Sequence, residues 1–439
     1  MVNWIEHAIF WHIYPLGFVG AEREAAACPQ VRHRLGRIAS WLDYAVDLGV
    51  SGLLLAPIFA SSTHGYDTTD HFEIDRRLGD NADFDALAKE ARRRGLRLIL
   101  DGVFNHVGRE FPAFRRAIAG GPQSSDGRWF HLTWPQAGKG GEPEYATFEG
   151  HRQLVALNHA EPAVADYVVQ VMNHWLDRGA DGWRLDAAYA VPRAFWRNVL
   201  PRVRAQHPDV YIFGEVIHGD YIAFVHESGL DAVTQYELWK AIWSSLNGGN
   251  FFELAWAMKR HNSFLEAFVP QTFIGNHDVT RIASRLADER HLAHALVILM
   301  TAGGTPSIYS GDEQALRGIK ENRAGGDDAI RPAFPASPSD LASSGLPVYR
   351  LHQEVIGLRR KHPWLRRAQS RVIELRNTDV LYEAFADDRR LWVALNIADA
   401  AVTRTIAAAA EKLAGKVAIS TNGGRTELTL PPHGWGVIG

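Results

Sequence analysis

Short apolar segments alternate with longer amphipathic segments from residue 8 to residue 361, and few folds accommodate such a rhythm. The apolar segments have the length and composition of buried strands, whereas the amphipathic ones repeat their apolar residues with a helical period. The eight predicted strands are residues 8–17, 51–57, 96–104, 182–187, 210–216, 231–236, 271–275 and 305–309. Eight alternations of strand and helix predict a closed parallel (β/α)8 TIM barrel rather than an open sheet.

Helices are predicted between these strands, at residues 35–48, 83–94, 162–178, 192–206 and 348–361. Asn81 or Asp83 is the expected N-cap of the second helix, because short acidic and amide side chains satisfy the free N–H groups of a first turn. Pro162 lies in the first turn of the third helix, where its missing N–H costs nothing.

Two segments depart from this alternation. Residues 107–160 contain many Gly, Pro and aromatic residues with little periodicity, which indicates a subdomain inserted after the third strand. From about residue 366 the pattern changes to short strands (SRVIEL, VLYEAFA, RLWVALNI and VAISTN), typical of an antiparallel β-sandwich. We therefore predict a barrel of residues 1–106 and 161–364, an inserted subdomain of residues 107–160 and a C-terminal sandwich of residues 365–439.

Composition argues against several classes of partner. The formal charge of −3 provides no electrostatic reason to bind nucleic acid or an anionic membrane. Cys28 is the only cysteine, which excludes an intrachain disulfide and a cysteine-rich metal site. The N-terminus lacks a signal-peptide pattern and no apolar stretch is long enough to span a membrane, so we expect a cytoplasmic protein, with the oligomeric state left open.

Acidic residues recur where the predicted strands end, which is the face on which barrel enzymes build their active sites. These acids are Asp101, Asp186, Glu215 and Asp278, and His106, Arg184 and His277 lie among them. Any one acid could simply cap the next helix. Four acids around one barrel mouth would repel one another, and this cost favours a reaction that uses them.

The segments that carry these residues (DGVFNH, GWRLDAAY, FGEVIHG and FIGNHD) resemble the four signature segments of the α-amylase family, glycoside hydrolase family 13, in the same order. Three further segments resemble parts of the same family. The stretch after strand two is matched by GYDTTDHFEID, the end of the inserted domain by ALNHAEP and strand eight by TPSIYSGDE. The likeness spans residues 8–361. It implies a retaining α-glycoside hydrolase whose partner is an α-1,4-linked gluco-oligosaccharide, such as a maltooligosaccharide or a cyclodextrin.

The resemblance implies a role for each acid. Asp186 matches the nucleophile that would form a covalent β-glycosyl enzyme, and Glu215 matches the acid/base that would protonate the leaving oxygen and then activate water or a sugar. Asp278 matches the third acid, expected to bind hydroxyls of the sugar that is cleaved (the −1 sugar). Arg184 points to the same side of its strand as Asp186 and is placed to hold that nucleophile ionised.

The remaining sugar-binding positions also follow from the resemblance. Tyr66 matches an aromatic platform under the −1 sugar, with Asp67 beside it. His106 and His277 match hydrogen-bond donors to the same sugar, with packing or capping as the alternative for both. Asp101 is expected to order the site rather than to react.

Three departures from the family pattern affect what the resemblance implies. Calcium-dependent members carry a His shortly after the nucleophile, whereas this chain has DAAYAV at that place. We therefore expect no cofactor and disfavour a structural calcium bound to Asn105. GWRLDA and GDEQALRG resemble the neopullulanase, cyclomaltodextrinase and maltogenic-amylase branch, yet we expect none of its N-terminal β-domain, because strand one begins near Met1. Ile217 replaces a Trp of that branch, and with His218 it is expected near the acceptor (+1) sugar.

Two other functions remain open. A glucosyl- or maltosyltransferase or an isomerase would use the same residues, with a sugar replacing water in the second step. A non-catalytic sugar-binding protein could share the fold, but such relatives usually lack a catalytic acid, and all three are present here. Within the inserted subdomain, sugar stacking and simple packing are equally consistent with four aromatic residues: Trp129, Phe130, Trp134 and Tyr145.

Overall fold

The computed structural model of this protein describes residues 3–135, 141–323 and 325–439, and its centre is a parallel sheet. The strands are β1 (Phe10–Ile13), β2 (Gly52–Leu55), β3 (Arg97–Gly102), β4 (Gly182–Leu185), β5 (Tyr211–Gly214), β6 (Ala232–Val233), β7 (Gln271–Phe273) and β8 (Thr305–Tyr309). Their hydrogen-bonded order is β6-β5-β4-β3-β2-β1-β8-β7. A parallel bridge from Thr234 to Gln271 joins the two outer strands and closes the sheet. The predicted eight-stranded barrel is thus confirmed.

The helices lie between these strands and after the last one. They are α1 (Pro15–Phe18), α2 (Leu35–Ala39), α3 (Leu42–Leu48), α4 (Asn81–Arg93), α5 (Pro112–Gly120), α6 (Pro162–Asp177), α7 (Arg193–Gln206), α8 (Tyr221–Ser228), α9 (Tyr236–Gly248), α10 (Phe251–Ala267), α11 (Ile282–Arg285), α12 (Leu292–Thr301) and α13 (Leu346–Lys361). Within the described ranges, no helix combines the length and the apolar character that a membrane crossing requires.

Local chemistry explains where the predicted element boundaries were wrong. Pro15 begins α1, so the first strand ends at Ile13 instead of continuing to residue 17. The N-cap of α4 is Asp80, whose carboxylate accepts hydrogen bonds from the N–H groups of Ala82 and Asp83. The Asp83 carboxylate in turn accepts a hydrogen bond from the Asp80 N–H. This reciprocal capping box replaces the expected cap at Asn81 or Asp83.

The inserted segment forms a small antiparallel sheet next to the barrel. Its strands are His106–Gly108, Thr147–Phe148 and His151–Ala156, and a second pair joins Leu132–Thr133 to Glu144–Tyr145. His106 begins the first of these strands shortly after β3 ends, so the sheet starts at the carboxyl end of the barrel.

The C-terminal module has two antiparallel sheets, as predicted for a sandwich. Its strands are β9 (Gln369–Leu375), β10 (Asp379–Ala386), β11 (Arg389–Asn396), β12 (Val402–Ile406), β13 (Lys412–Gly415), β14 (Ala418–Asn422), β15 (Arg425–Leu430) and β16 (Trp435–Ile438). The sheet orders are β9-β10-β11-β16-β13 and β12-β15-β14. Leu381, Leu428 and Ile438 belong to an apolar cluster of this module. The sequence had indicated only four of these strands.

A buried arginine joins the loops that follow β1 and β2. The Arg77 side chain is fully buried and donates from Nε and Nη2 to the two oxygens of Asp75, at 2.8 and 2.7 Å. Its Nη1 donates to the carbonyl oxygens of Glu22, Arg23 and Thr63. One bidentate ion pair therefore fixes the loop that carries Tyr66, a predicted sugar-binding residue.

Asp75→Ala is expected to lower the free energy of unfolding by about 3–5 kcal/mol, because it leaves the Arg77 guanidinium buried without its counter-charge. Urea unfolding followed by tryptophan fluorescence measures the change. The matched control is Glu90→Ala, which removes an exposed partner of Arg93 and Arg94 and should cost less than about 1 kcal/mol. Equal losses in the two variants would contradict the role given to this pair.

Candidate active site

One guanidinium contacts three carboxylates at the carboxyl end of the barrel. Nη1 of Arg184 donates to Asp101 Oδ2 at 2.6 Å and to Asp186 Oδ1 at 3.2 Å, and its Nη2 lies 2.9 Å from Glu215 Oε1. All four side chains are buried. In the sheet register Arg184 lies opposite Asp101 on β3 and Phe213 on β5. Asp186 follows Arg184 by two residues, and Glu215 follows Phe213 by two, so each acid points to the same side as the residue it follows. The pairing of the strands therefore assembles this cluster.

A second set of hydrogen bonds fixes Glu215 and links it to Asp278. Oε1 of Glu215 accepts the Tyr236 hydroxyl at 3.1 Å, and Oε2 accepts the N–H of Ala187 at 3.1 Å. Tyr236 in turn accepts from Asn276, whose side-chain oxygen accepts the Asp278 N–H at 2.8 Å. The carboxyl group of Glu215 is therefore held by three elements of the barrel.

Burial and the other acids of the cluster oppose the ionisation of Asp186. Burial raises the pKa of Asp186 well above its usual range, and the adjacent Glu215 adds to this, against the opposing effect of Arg184. Arg184 offsets this cost, because its guanidinium contacts both Asp186 and Glu215. Glycoside cleavage by two carboxyl groups uses one for attack and one for proton donation, and this cluster provides both groups.

The pKa of Asp278 is shifted in the opposite direction to that of Asp186. Burial alone would raise its pKa, but His277, Arg331 and Arg184 outweigh burial and hold the pKa of Asp278 well below its usual range. Nε2 of His277 lies 2.9 Å from Asp278 Oδ2, and Arg331 donates from Nη2 to Oδ1 at 2.9 Å. Nε of Arg331 also donates to the His277 carbonyl, and its guanidinium lies over the ring of Tyr14. Asp278 is therefore an ionised, oriented hydrogen-bond acceptor.

Tyr66 and His277 form a flat aromatic surface beside these acids. Their ring centroids are 5.6 Å apart with planes within 9°, and the Tyr66 hydroxyl contacts His277 Nε2 and Asp101 Oδ2. Nδ1 of His277 is 3.1 Å from Nε2 of His12 on β1. Tyr66 is half-buried, so its ring is accessible to a ligand from one side.

Asp67 is not brought into this cluster. Its carboxylate accepts the N–H and the hydroxyl of Thr63, at 3.1 and 2.7 Å, and so stabilises the turn that precedes Tyr66. A short-range hydrogen bond thus occupies a side chain that was predicted to lie next to the sugar.

His106 begins the first strand of the inserted sheet, and its ring stacks on Phe148 with centroids 4.7 Å apart. Nδ1 of His106 is 3.1 Å from the Asn105 side-chain amide, the group considered as a calcium ligand. Burial lowers the pKa of His106 to about 3, so the imidazole is neutral. Nε2 of His106 and Oδ1 of Asp101 are buried without a well-aligned partner among the described residues, and ligand hydroxyls could satisfy both.

His218 lies at the rim of the site and is exposed. Its ring is 6.4 Å from that of Tyr189, which follows Asp186 and donates its hydroxyl to Glu149 Oε1 at 3.0 Å. Glu149 occupies the turn of the inserted sheet, with φ of +50°. This bond connects the inserted sheet to the loop that follows the Asp186 strand.

The aromatic residues suggested for the inserted subdomain serve mostly to pack it. Phe130 and Tyr145 pack edge-on against Phe114, and Trp129 packs against Phe111 and Tyr167. Trp134 is half-buried. Phe148, which the sequence did not single out, is instead the ring that reaches His106.

Four other residues of the site were missed from sequence. They are His12, Tyr236, Asn276 and Arg331. His12, Tyr236 and Asn276 lie in or just after barrel strands, so the strand-end rule that located the acids would have found them. Arg331 lies in the long loop after β8, where periodicity carries no information.

Comparison with known proteins agrees with this geometry. The α-amylase catalytic domain matches residues 12–378. A cyclomaltodextrinase of Geobacillus thermopakistaniensis is 32% identical over 83% of this chain and 64% of its own length. An intracellular maltogenic amylase of Bacillus subtilis strain 168 is 31% identical over 72% of this chain and 57% of its own. The chain thus spans less than two thirds of the length of these two relatives.

Among solved structures, a debranching enzyme of Nostoc punctiforme superposes with a TM-score of 0.86 at 25% identity, covering 100% of this chain and 99% of that one. These relatives confirm the resemblance to the cyclomaltodextrinase and maltogenic-amylase branch. Since the matched residues 12–378 include nearly all of the barrel and every acid that Arg184 contacts, the chain belongs to the α-amylase family.

Proposed function

We propose that this chain hydrolyses α-1,4 bonds in short or cyclic gluco-oligosaccharides by a retaining double displacement. The observation that carries the proposal is the contact of Arg184 with Asp101, Asp186 and Glu215, which brings the two carboxyl groups that such a reaction needs into one buried cluster. The names of the two curated relatives support the substrate class. One of them is named as intracellular, which supports a cytoplasmic location for this chain.

In the first step Glu215 donates its proton to the glycosidic oxygen while Asp186 attacks the anomeric carbon. The bond from that carbon to oxygen breaks, the leaving sugar departs as an alcohol, and a β-linked glycosyl ester forms on Asp186. Positive charge develops on the flattened −1 sugar. The ionised Asp278 would bind the hydroxyls of that sugar, with Tyr66 beneath the ring and His106 and His277 as further hydrogen-bonding groups.

In the second step Glu215 is a carboxylate and takes a proton from water. The water oxygen attacks the anomeric carbon, the ester bond breaks, and Asp186 leaves as a carboxylate. The product has the α configuration of the substrate. Arg184 contacts both carboxyls, so it balances the negative charge as this charge moves from one to the other.

The acceptor side of the cleft also favours a second reaction, transfer to a sugar. Phe148, Tyr189 and His218 form an aromatic edge next to Glu215, fixed by the Tyr189–Glu149 hydrogen bond. An aromatic face binds a sugar ring better than it binds a water molecule. A maltooligosaccharide bound there would therefore compete with water as the acceptor in the second step. We propose His218, Tyr189 and Phe148 as parts of the +1 site.

Replacement of either acid is expected to lower turnover by orders of magnitude without unfolding the chain. Glu215→Gln should lower kcat on maltotriose by about 10²–10⁴-fold, because an amide cannot protonate the leaving oxygen. Asp186→Ala should lower kcat by several orders of magnitude because the covalent step is lost. Product chromatography measures turnover, and circular dichroism checks the fold.

α-Maltosyl fluoride is the control for these two roles, because fluoride leaves without a proton. With this substrate, Glu215→Gln should recover most of the wild-type rate of the first step, whereas Asp186→Ala should recover none of it. The reverse pattern would exchange the two assignments, and near wild-type turnover of maltotriose by either variant would refute its role.

Arg331→Met should shift the acidic limb of kcat/KM to higher pH. Removal of this cation raises the pKa of Asp278. As the solution is acidified, the Asp278 carboxylate is then protonated at a higher pH than in the wild type, and activity is lost at that higher pH. Arg331→Lys keeps the charge and should leave the limb close to its wild-type position. An unchanged limb in Arg331→Met, measured over the full pH profile, would contradict the role given to Arg331.

Tyr189→Ala is expected to lower the ratio of transfer to hydrolysis several-fold at a fixed maltotriose concentration, since the acceptor loses its aromatic surface. Tyr189→Phe keeps the ring and removes only the bond to Glu149, so its ratio should fall less. Quantitation of longer against shorter products measures the ratio. An unchanged ratio in Tyr189→Ala would place the acceptor elsewhere.

A further inference from the structure

Away from the active site, two histidines meet where the barrel contacts the C-terminal sandwich. His291 directly precedes α12, and His433 lies in the turn before β16. Nε2 of His291 is 3.0 Å from Nδ1 of His433, and their ring centroids are 5.2 Å apart. One carboxylate oxygen of Asp288 and one ring nitrogen of each histidine lie within 4.8 Å of one another. Three side chains of metal-ligating type, from two parts of the fold, therefore converge.

His433 is held for this contact by its backbone and by a carboxylate. Its φ of +50° lies in the left-handed region, which costs a residue other than glycine about 1–3 kcal/mol. Its second nitrogen, Nε2, lies 2.8 Å from Oδ1 of Asp399. A carboxylate that accepts the Nε2 proton leaves a lone pair on Nδ1, which is the usual arrangement behind a metal-bound imidazole.

We propose that His291, His433 and Asp288 form a binding site for a divalent transition metal, with Zn²⁺ the best match. Zinc binds imidazole nitrogen and carboxylate oxygen at about 2.0–2.2 Å and often keeps a water as fourth ligand. On a tetrahedral ion two such nitrogens are about 3.3 Å apart, close to the 3.0 Å observed here. The proposal does not depend on the reaction at the barrel mouth.

Arg290 is the competing cation at this site. It donates to both oxygens of Asp288, at 3.0 and 2.5 Å, and lies 3.8 Å from Asp399. The metal must therefore share Asp288 with Arg290. The two carboxylates outnumber this single guanidinium, so the local charge still favours a cation. The Asp399 side chain is 91% exposed and that of Asp288 28%, which gives the ion a route in from solvent.

Metal binding here would tie the two modules together. Asp288 and His291 precede a barrel helix, whereas His433 and Asp399 belong to turns of the sandwich. An ion that binds only the folded junction stabilises the folded chain in proportion to the logarithm of its concentration.

The test is a titration of the full-length chain with Zn²⁺ after treatment with a chelator. Calorimetry should give one ion per chain, Co²⁺ should give the visible absorption of a tetrahedral site, and Tm should rise with zinc concentration. His433→Ala should abolish all three effects. Asp399→Asn should weaken zinc affinity about 10-fold or more, because the imidazole is no longer oriented.

Two comparisons keep the result unambiguous. His226→Ala removes an exposed histidine of α8 and should bind zinc like the wild type. Asp399→Asn changes an exposed side chain, so its Tm without metal should equal that of the wild type. The proposal is overturned if the wild type binds no zinc, if His433→Ala binds it as the wild type does, or if Asp399→Asn keeps full affinity.

Discussion

The site depends on one buried cation. Arg184 contacts Asp101, Asp186 and Glu215, and three carboxyl groups could not share so small a buried volume without it. The register of β3, β4 and β5 sets these positions, so the arrangement is a property of the barrel rather than of a loop. Its chemical consequence is that two buried carboxyl groups share one cation, an arrangement that the proposed retaining cleavage would use.

Two other arginines orient the loops around this centre. Arg77 joins the segments that follow β1 and β2 and so fixes the turn before Tyr66. Arg331 joins the loop after β8 to His277 and Asp278, and His277 and Arg331 together hold the pKa of Asp278 well below its usual range. The barrel therefore supplies positions for the acids, while guanidinium groups from its loops fix the surfaces between which a sugar ring would bind.

The sequence predicted what depends on local pattern. The buried strands have a clear composition, and the acids follow them at the barrel mouth, so both the barrel and the acid cluster could be located. The details that the sequence did not predict depend on which partner each side chain meets in the folded chain. The Asp67 carboxylate accepts the hydroxyl of Thr63, the ring of Phe148 stacks on His106, and Tyr236 starts a helix instead of ending a strand. The shorter C-terminal strands have too weak a period to be recognised singly.

The covalent intermediate is the central claim, and mass spectrometry of a trapped intermediate tests it most directly. A 5-fluoro-α-glucosyl fluoride slows the second step more than the first, so a glycosyl ester should accumulate on the intact chain. Digestion should place the added mass on the peptide that contains Asp186, and Asp186→Ala should acquire none. Steady release of fluoride with no label, or a label on another residue, would contradict the double displacement at this carboxylate.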